Sequence, residues 1–347
     1  MSNETIVVIG AGVIGLTTAL HIQQHLSKNQ SLLVIARDLP QHTSIDYASP
    51  WAGAHYRPIP GTSAQLKKEA NQARRTYEDF KTLAEDPEAG IKFIEGIEHL
   101  EAPPADYLDT EAVKIAYGHL DNFRILDKAE LPTGVKWGVK YKTYVVNSPV
   151  YCAYLLRKII FNGGKAREYT LKSLEEAFTL EHNVKTVVNC SGMGFGDSKS
   201  FVIRGQTCLV KNPCDLTLTR QKSDGSWSFC IPRPLNGGTV IGGTKQINDW
   251  DPNPSMETRN KVLDNAAKWF PFPSGSKREF DVVRDIVGRR PARDGGMRVE
   301  AEKMDGGRVL VHAYGAGGRG FELSRGVAED VGVLMFENGV LRESASL

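Results

Sequence analysis

Apolar residues cluster in short runs along this chain, and what ends each run is as informative as the run. Ile6-Val7-Val8-Ile9 is four β-branched residues in a row, without the alternation of a half-exposed strand. Such a run predicts a strand covered on both faces. It stops at Gly10-Ala11-Gly12-Val13-Ile14-Gly15, after which Leu16-Thr17-Thr18-Ala19-Leu20-His21-Ile22 continues at helical spacing. A second run, Leu32-Leu33-Val34-Ile35, ends at Ala36-Arg37-Asp38. Strand, glycine turn, helix and strand in that order predict a βαβ unit that holds a dinucleotide. Gly10 permits the tight turn, Gly12 lets the backbone approach a pyrophosphate, and Gly15 lets the helix lie close to the strand. The helix N-terminus then offers N–H groups and partial positive charge to the phosphates. Asp38 stands where an acidic side chain takes the ribose hydroxyls.

The same grammar returns twice. Thr186-Val187-Val188-Asn189-Cys190 predicts a buried strand ending in Ser191-Gly192-Met193-Gly194, and Val309-Leu310-Val311-His312 predicts another ending in Gly315-Ala316-Gly317-Gly318-Arg319-Gly320. A helix over about 321–337 follows the latter. Between these segments the pattern changes. A charged amphipathic helix spans Ala64 to Leu83, and short strands and turns alternate from there to about Lys142. A β-rich stretch runs from Phe201 to Gly243, with a hairpin-like turn at Leu235-Asn236-Gly237-Gly238-Thr239, and a helix covers about 256–269. The loop from Leu39 to Pro60 is long for a compact domain and carries Trp51, His55 and Tyr56, which marks it as functional. The expected fold class is α/β. A Rossmann-like domain built from residues 1–58, 144–200 and 287–347 is interleaved with a mostly antiparallel, β-rich substrate domain built from residues 59–143 and 201–286.

Composition narrows the function classes. The chain has 347 residues, enough for a sizeable core, and a formal net charge of +2 gives no electrostatic footprint for nucleic acid or an anionic membrane. The apolar stretch from Thr5 to Ile22 has three glycines at fingerprint spacing and no basic leader, which argues against a membrane span or signal peptide. Five cysteines without a CxxC pair predict mostly buried thiols in a reducing compartment, with no structural metal. The terminal Ala345-Ser346-Leu347 is a degraded form of a Ser-Lys-Leu address. The expected location is therefore the peroxisome, and otherwise the cytoplasm.

Glycine turns of this kind leave NAD and FAD both open. The segment His312-Ala313-Tyr314-Gly315-Ala316-Gly317-Gly318-Arg319-Gly320, followed after five residues by Gly326-Val327-Ala328, resembles the signature of the D-amino-acid oxidase family. Ala48-Ser49-Pro50-Trp51-Ala52-Gly53 and Gly288-Arg289-Arg290-Pro291-Ala292-Arg293 are similar to its fungal members, and the resemblance spans essentially the whole chain. It implies non-covalent FAD, with the ADP part on Gly10, Ala11, Gly12, Val13, Ile14 and Gly15 and on Ala36, Arg37 and Asp38. It further implies that Thr43, Ser44, Ala52, Gly53, Leu171, Ser191 and Gly192 belong to the cofactor site. Gly315, Gly317, Gly318, Gly320, Phe321 and Glu322 would meet the flavin at the start of the last helix, where the helix N-terminus stabilises negative charge on reduced flavin.

By the same resemblance, Arg290 clamps the substrate α-carboxylate and adjoins the cofactor. A planar fork of donors suits a carboxylate. A backbone carbonyl near Gly318 orients the amine, whereas Arg293 and Arg298 read as ordinary surface ion pairs. The implied reaction is hydride transfer from Cα of a D-amino acid to the flavin, then hydrolysis to a 2-oxo acid and ammonia, with oxygen reduced to hydrogen peroxide. D-amino acid and molecular oxygen are the expected partners, with neither nucleic acid nor membrane. A homodimer is left open, since the short Lys303–Arg308 connection lacks the insertion that some yeast relatives use for dimer contacts.

Two positions depart from the pattern. Phe229 stands where the family usually has a carboxylate-binding Tyr, a loss of roughly 1.5–3 kcal/mol unless Tyr56 or water replaces the hydrogen bond. Lys245 stands where general oxidases carry an aromatic residue and the D-aspartate branch an arginine. With His55, it supports a D-aspartate- or D-glutamate-selective oxidase as the alternative. Phe229 supports another, a flavin-binding protein without turnover.

Overall fold

The computed structural model describes residues 4–342, so Ala345-Ser346-Leu347 lies outside the described residues. By contacts the chain forms two compact units: Met1–Pro50, Pro149–Ile203 and Arg290–Leu347 make the first, Trp51–Ser148 and Arg204–Arg289 the second.

The first unit is organised by a six-stranded sheet. Its strand order is Arg298–Met304, Arg308–Tyr314, Val184–Asn189, Glu4–Ile9, Gln30–Ala36, Lys165–Glu168. The Arg298–Met304 strand runs antiparallel to its neighbour, and the other pairings are parallel. The runs without alternation are the central strands. Val7, Val8, Val187, Val188 and Val311 have no exposed surface, because a parallel strand between two covered faces buries both sides of its pleat. One face packs Val7, Ile9, Leu33, Ile35, Val187 and Leu310 against Ala177 and Phe178. The Val13–Gln23 and Gly320–Glu337 helices pack against each other.

The second unit contains a mostly antiparallel ten-stranded sheet. The segment read as short alternating strands holds two long ones, Ile91–Leu100 and Trp137–Val146, paired without a break from Ile91↔Val146 to Leu100↔Trp137. Helices Ala64–Leu83 and Met256–Ala267 match the amphipathic patterns, each with a serine N-cap accepting from the first turn (Ser63 from Leu66 N, Ser255 from Thr258 N). The predicted turn joins Trp227–Pro232 to Thr239–Gly242 in antiparallel register. Leu235, Asn236 and Gly238 take positive φ there.

Residues 51–58, 144–148 and 287–289 fall in the second unit and 201–203 in the first, which differs from the boundaries read from sequence. The cause is strand pairing: Ala54 and His55 pair with Val146 and Val145. The Ala52 carbonyl also accepts Arg233 Nη2 and Ser148 Oγ, each at 2.8 Å.

The interior of this unit holds a charge that the hydrophobic pattern does not reveal. Glu98 is fully buried, and its carboxylate accepts Tyr117 Oη at 2.7 Å, Tyr141 Oη at 3.0 Å and Arg57 Nη1 at 3.3 Å. The Arg57 guanidinium lies 4.6 Å from the centre of the Trp227 ring. Removing one partner of a buried pair leaves the other charge uncompensated, at a cost of about 3–5 kcal/mol. Glu98→Ala is therefore expected to lower the unfolding free energy by about that amount. Urea denaturation that places the variant within about 1 kcal/mol of wild type would show that the charge is not held as described.

Candidate functional site

The glycine turn is built with no clearance. Gly10 has φ of +103°, and a Cβ there would overlap the Cys190 carbonyl. A Cβ on Gly15 would overlap the carbonyl of Gly10 itself. These two glycines seat the Val13–Gln23 helix directly against the ends of the Glu4–Ile9 and Val184–Asn189 strands. Gly12 is the N-cap and has no side chain to satisfy the first-turn N–H groups. Val13 N finds a side-chain acceptor in Ser49 Oγ at 2.9 Å.

Ser49 and Tyr47 are the contributions of the long loop that residue-by-residue reasoning missed. Tyr47 is buried and donates its hydroxyl to the Ala11 carbonyl at 2.6 Å. Both residues therefore brace the turn from outside the motif. Their one sequence signal was the unusual length of the loop. Ser44 and Thr43 lie earlier in it, with Ser44 Oγ accepting from Asp46 N and Thr43 exposed. At the end of the second strand, Ala36 is buried, and Asp38 accepts Arg37 Nε at 2.7 Å. Leu171 packs against the hydrophobic cluster on one face of the sheet.

The other glycine segments converge within the same unit. Gly315 N donates to the Gly192 carbonyl at 3.1 Å, and Gly317 N donates to the Pro291 carbonyl at 2.7 Å. A Cβ on Gly192 would come within 3.1 Å of Pro291, and a Cβ on Gly318 within 3.7 Å of Arg290 Cδ. Arg290 and Gly318, 28 residues apart in sequence, are thus neighbours. Arg290 is partly buried, and that burial lowers its pKa from the ordinary arginine value. Ser191 Oγ accepts Gly194 N, closing the turn after its strand. A Cβ on Gly320 would lie 3.3 Å from Val13 Cγ1, so the two helices begin side by side. Arg319 is the N-cap of the second helix and makes no side-chain bond to its first-turn N–H groups, while its Nε donates to the buried Glu322 carboxylate at 2.8 Å. Phe321 packs its ring on Tyr151. Arg293 pairs with Asp197 at 2.7 Å, and Arg298 with Glu300 and Glu302, as ion pairs.

The remaining predicted residues belong to the second unit. Phe229 lies over Gly242, where a Cβ would overlap the ring, and packs with Ile94, Val145 and Ile231. Gly53 has Val240 at 3.0 Å from where its Cβ would be, so it sits with Ala52 among second-unit residues. His55 bonds through Nδ1 to Thr217 Oγ1 at 2.8 Å, and burial together with the nearby Arg57 charge holds its pKa down at about 3. It is therefore neutral at physiological pH. Tyr56 is a core residue, which removes it as a stand-in for the missing Tyr hydroxyl. Its ring packs on Tyr144 and Tyr77, and its hydroxyl meets His119 Nε2 at 3.3 Å.

Lys245 is exposed and makes no ion pair among the described residues. Its flanks are fixed: Thr244 Oγ1 accepts Gln206 N at 2.8 Å, and Gln246 Oε1 accepts the buried Arg204 at 2.6 Å. Among the described residues no group of three or more His, Cys, Asp or Glu side chains could hold a metal ion.

The family model described as DAO, FAD dependent oxidoreductase, matches residues 5–332. The chain belongs to this family. It is 47% identical over 95% of its length, and 94% of the relative's, to a protein named D-aspartate oxidase from Talaromyces thermophilus. It is 32% identical, over 99% of both chains, to a D-amino-acid oxidase from Fusarium vanettenii. Among solved structures, glycine oxidase from Geobacillus kaustophilus superposes with a TM-score of 0.71, at 17% identity, over 99% of this chain and 96% of its own. That likeness shows the fold.

The residues present suit the FAD of this family. Two adjoining helix N-termini without side-chain caps leave backbone donors for a pyrophosphate, and the turn between strand and helix has no Cβ to obstruct it. Gly10→Ala is expected to yield protein that does not retain FAD, because its methyl meets the Cys190 carbonyl and its backbone requires positive φ. The ratio of absorbance at the flavin and protein bands of the purified variant measures this. A wild-type ratio would refute the assignment of this turn.

Proposed function

We propose that this protein is an FAD-dependent oxidase that deaminates D-amino acids to 2-oxo acids, ammonia and hydrogen peroxide. The observation that carries the proposal is the convergence of Gly192, Arg290, Gly315, Gly317 and Gly318 in a chain that belongs to a flavoprotein family and has oxidases of D-amino acids as relatives. FAD, when bound, supplies the acceptor for the hydride from Cα and passes the electron pair to oxygen. The chain's task is to bind, orient and exclude water. Arg290 holds the substrate α-carboxylate, and its desolvation strengthens that charge-assisted bond. The carbonyl near Gly318 directs the amine. The residues assigned here need no side-chain acid or base at the reacting carbon. Purified protein should bleach anaerobically with a D-amino acid and not with its L-enantiomer. Bound flavin that no D-amino acid reduces would instead establish a binding protein without turnover.

Arg290→Ala is expected to keep FAD and to lower kcat/KM for D-alanine at least tenfold, mainly through KM, as expected for loss of roughly 1.5–3 kcal/mol from a charged hydrogen bond. Arg290→Lys restores only part of it, because an ammonium lacks the planar fork. Unchanged kinetics in the alanine variant would place the carboxylate elsewhere.

A second reading, selectivity for D-aspartate or D-glutamate, is favoured by two observations: the 47% identity to a D-aspartate oxidase and the unpaired charge of Lys245. Lys245 would meet the side-chain carboxylate as a point charge, with its backbone held by Arg204 and Gln206. Lys245→Met should then lower kcat/KM for D-aspartate by roughly 1–3 kcal/mol while leaving large apolar D-amino acids equal or improved. A substrate profile common to wild type and variant would mean that this lysine only faces water.

A further inference from the structure

The second unit contains a pair of thiols for which the reaction has no use. Cys214 lies in the connection between the Ser200–Val210 and Leu216–Gln221 strands, and Cys230 lies within the Trp227–Pro232 strand. Their sulfur atoms are 3.8 Å apart. Cys230 has no exposed surface, whereas Cys214 is partly exposed. The other thiols sit differently. Cys152 and Cys190 are buried, and Cys208 is buried with its sulfur 3.4 Å from the Asp285 carboxylate. Burial pushes all three up to about 12 in pKa. Cys214 is moved the other way, held below its ordinary value by the hydrogen bond from Cys230, whose own thiol is pushed well up. Cys214 is thus the partly exposed thiol of the pair, moved down in pKa, and Cys230 lies buried beside it with its thiol moved up.

We propose that Cys214 and Cys230 form a dithiol that hydrogen peroxide oxidises to a disulfide, with Cys214 reacting first and Cys230 resolving. That the enzyme supplies its own oxidant rests on the proposed function. The Cys214 thiolate attacks one peroxide oxygen and the O–O bond breaks. Sulfur keeps a hydroxyl as sulfenic acid, and the second oxygen leaves as hydroxide, which takes a proton to become water. Cys230 then loses its proton, and its sulfur displaces the hydroxyl from Cys214, releasing a second water. Two thiols give up two electrons and two protons, and one peroxide becomes two waters. A sulfur–sulfur bond of about 2.05 Å requires an approach of under 2 Å from the present separation. The connection carrying Cys214 lies outside the regular strands and can supply that movement. The bond would fasten this connection to the sheet face that buries Cys208, Leu218, Cys230 and Ile241 under the Met256–Ala267 helix.

The test uses FAD-loaded full-length protein treated with a small molar excess of hydrogen peroxide. The expected result is loss of two of the five thiols, with a peptide map that joins Cys214 to Cys230, reversed by dithiothreitol. In Cys230→Ser, Cys214 should be trapped as a dimedone adduct, and Cys214→Ser should give no adduct at Cys230. Absence of the cross-link in wild type, or thiol loss spread over Cys152, Cys190 and Cys208, overturns the proposal. The wild-type map decides this even if a serine variant does not fold. A parallel arm replaces added peroxide with a D-amino acid and oxygen, with and without catalase. A cross-link that forms with added peroxide but not during turnover keeps the dithiol and counts against the proposed oxidase activity.

Discussion

The close packing of Gly15 on the Gly10 carbonyl, and of Gly10 on the Cys190 carbonyl, is the constraint on which the cofactor unit depends. Neither glycine has room for a Cβ, so the first helix and the ends of two parallel strands are held at backbone distance. That distance fixes where the helix begins. The beginning of the helix fixes Val13, and Val13 abuts Gly320 at the start of the last helix. A side chain at either glycine would push the first helix outward, and the second helix would lose its neighbour. The anion-binding property of the unit is therefore geometric before it is electrostatic. Uncapped N–H groups attract phosphate at any helix start, but only close packing makes two such starts coincide.

What the sequence disclosed follows from which physical signal each element carries. Parallel strands buried on both faces announce themselves as unbroken runs, so Ile6–Ile9, Leu32–Ile35, Thr186–Cys190 and Val309–His312 were legible. The long pair Ile91–Leu100 and Trp137–Val146 was not. Gly96, Glu98 and Lys140 interrupt its pattern, and Glu98 is a charge where the pattern demands an apolar residue. That carboxylate is tolerated because three donors reach it from distant segments, which no local window can reveal. The same limit explains Tyr47 and Ser49, whose roles exist only once the loop folds back on the turn. Ala52 and Gly53 belong to a motif that continues without a sequence break from the first unit, and strand pairing at Ala54 and His55 is what assigns them to the second.

The second unit combines fixed backbone with a free charge. Arg204 is buried and gives its guanidinium to the Asp251 and Asn253 carbonyls and to the Gln246 side chain. Gln206 bonds both the Ser255 N–H and its carbonyl at 2.8 Å. These buried groups staple the segment from Thr244 to Ser255, yet Lys245 within it stays exposed and unpaired. A lysine on a mobile loop would spread its charge over many positions. On a stapled one its reach is limited to its own side-chain rotamers, the arrangement that lets a point charge discriminate between ligands.

His55 and Lys245, which the sequence grouped together, have unlike surroundings. His55 has Thr217 on one ring nitrogen and the Arg57 charge nearby, and burial adds to that charge in keeping the ring neutral. A neutral imidazole contributes a hydrogen bond and no net attraction. Protonating it would require an approaching carboxylate to overcome both desolvation and the Arg57 field. Lys245 is exposed and has no ion pair among the described residues. The partial burial of His55 and the exposure of Lys245 distinguish two side chains that the sequence alone had grouped together.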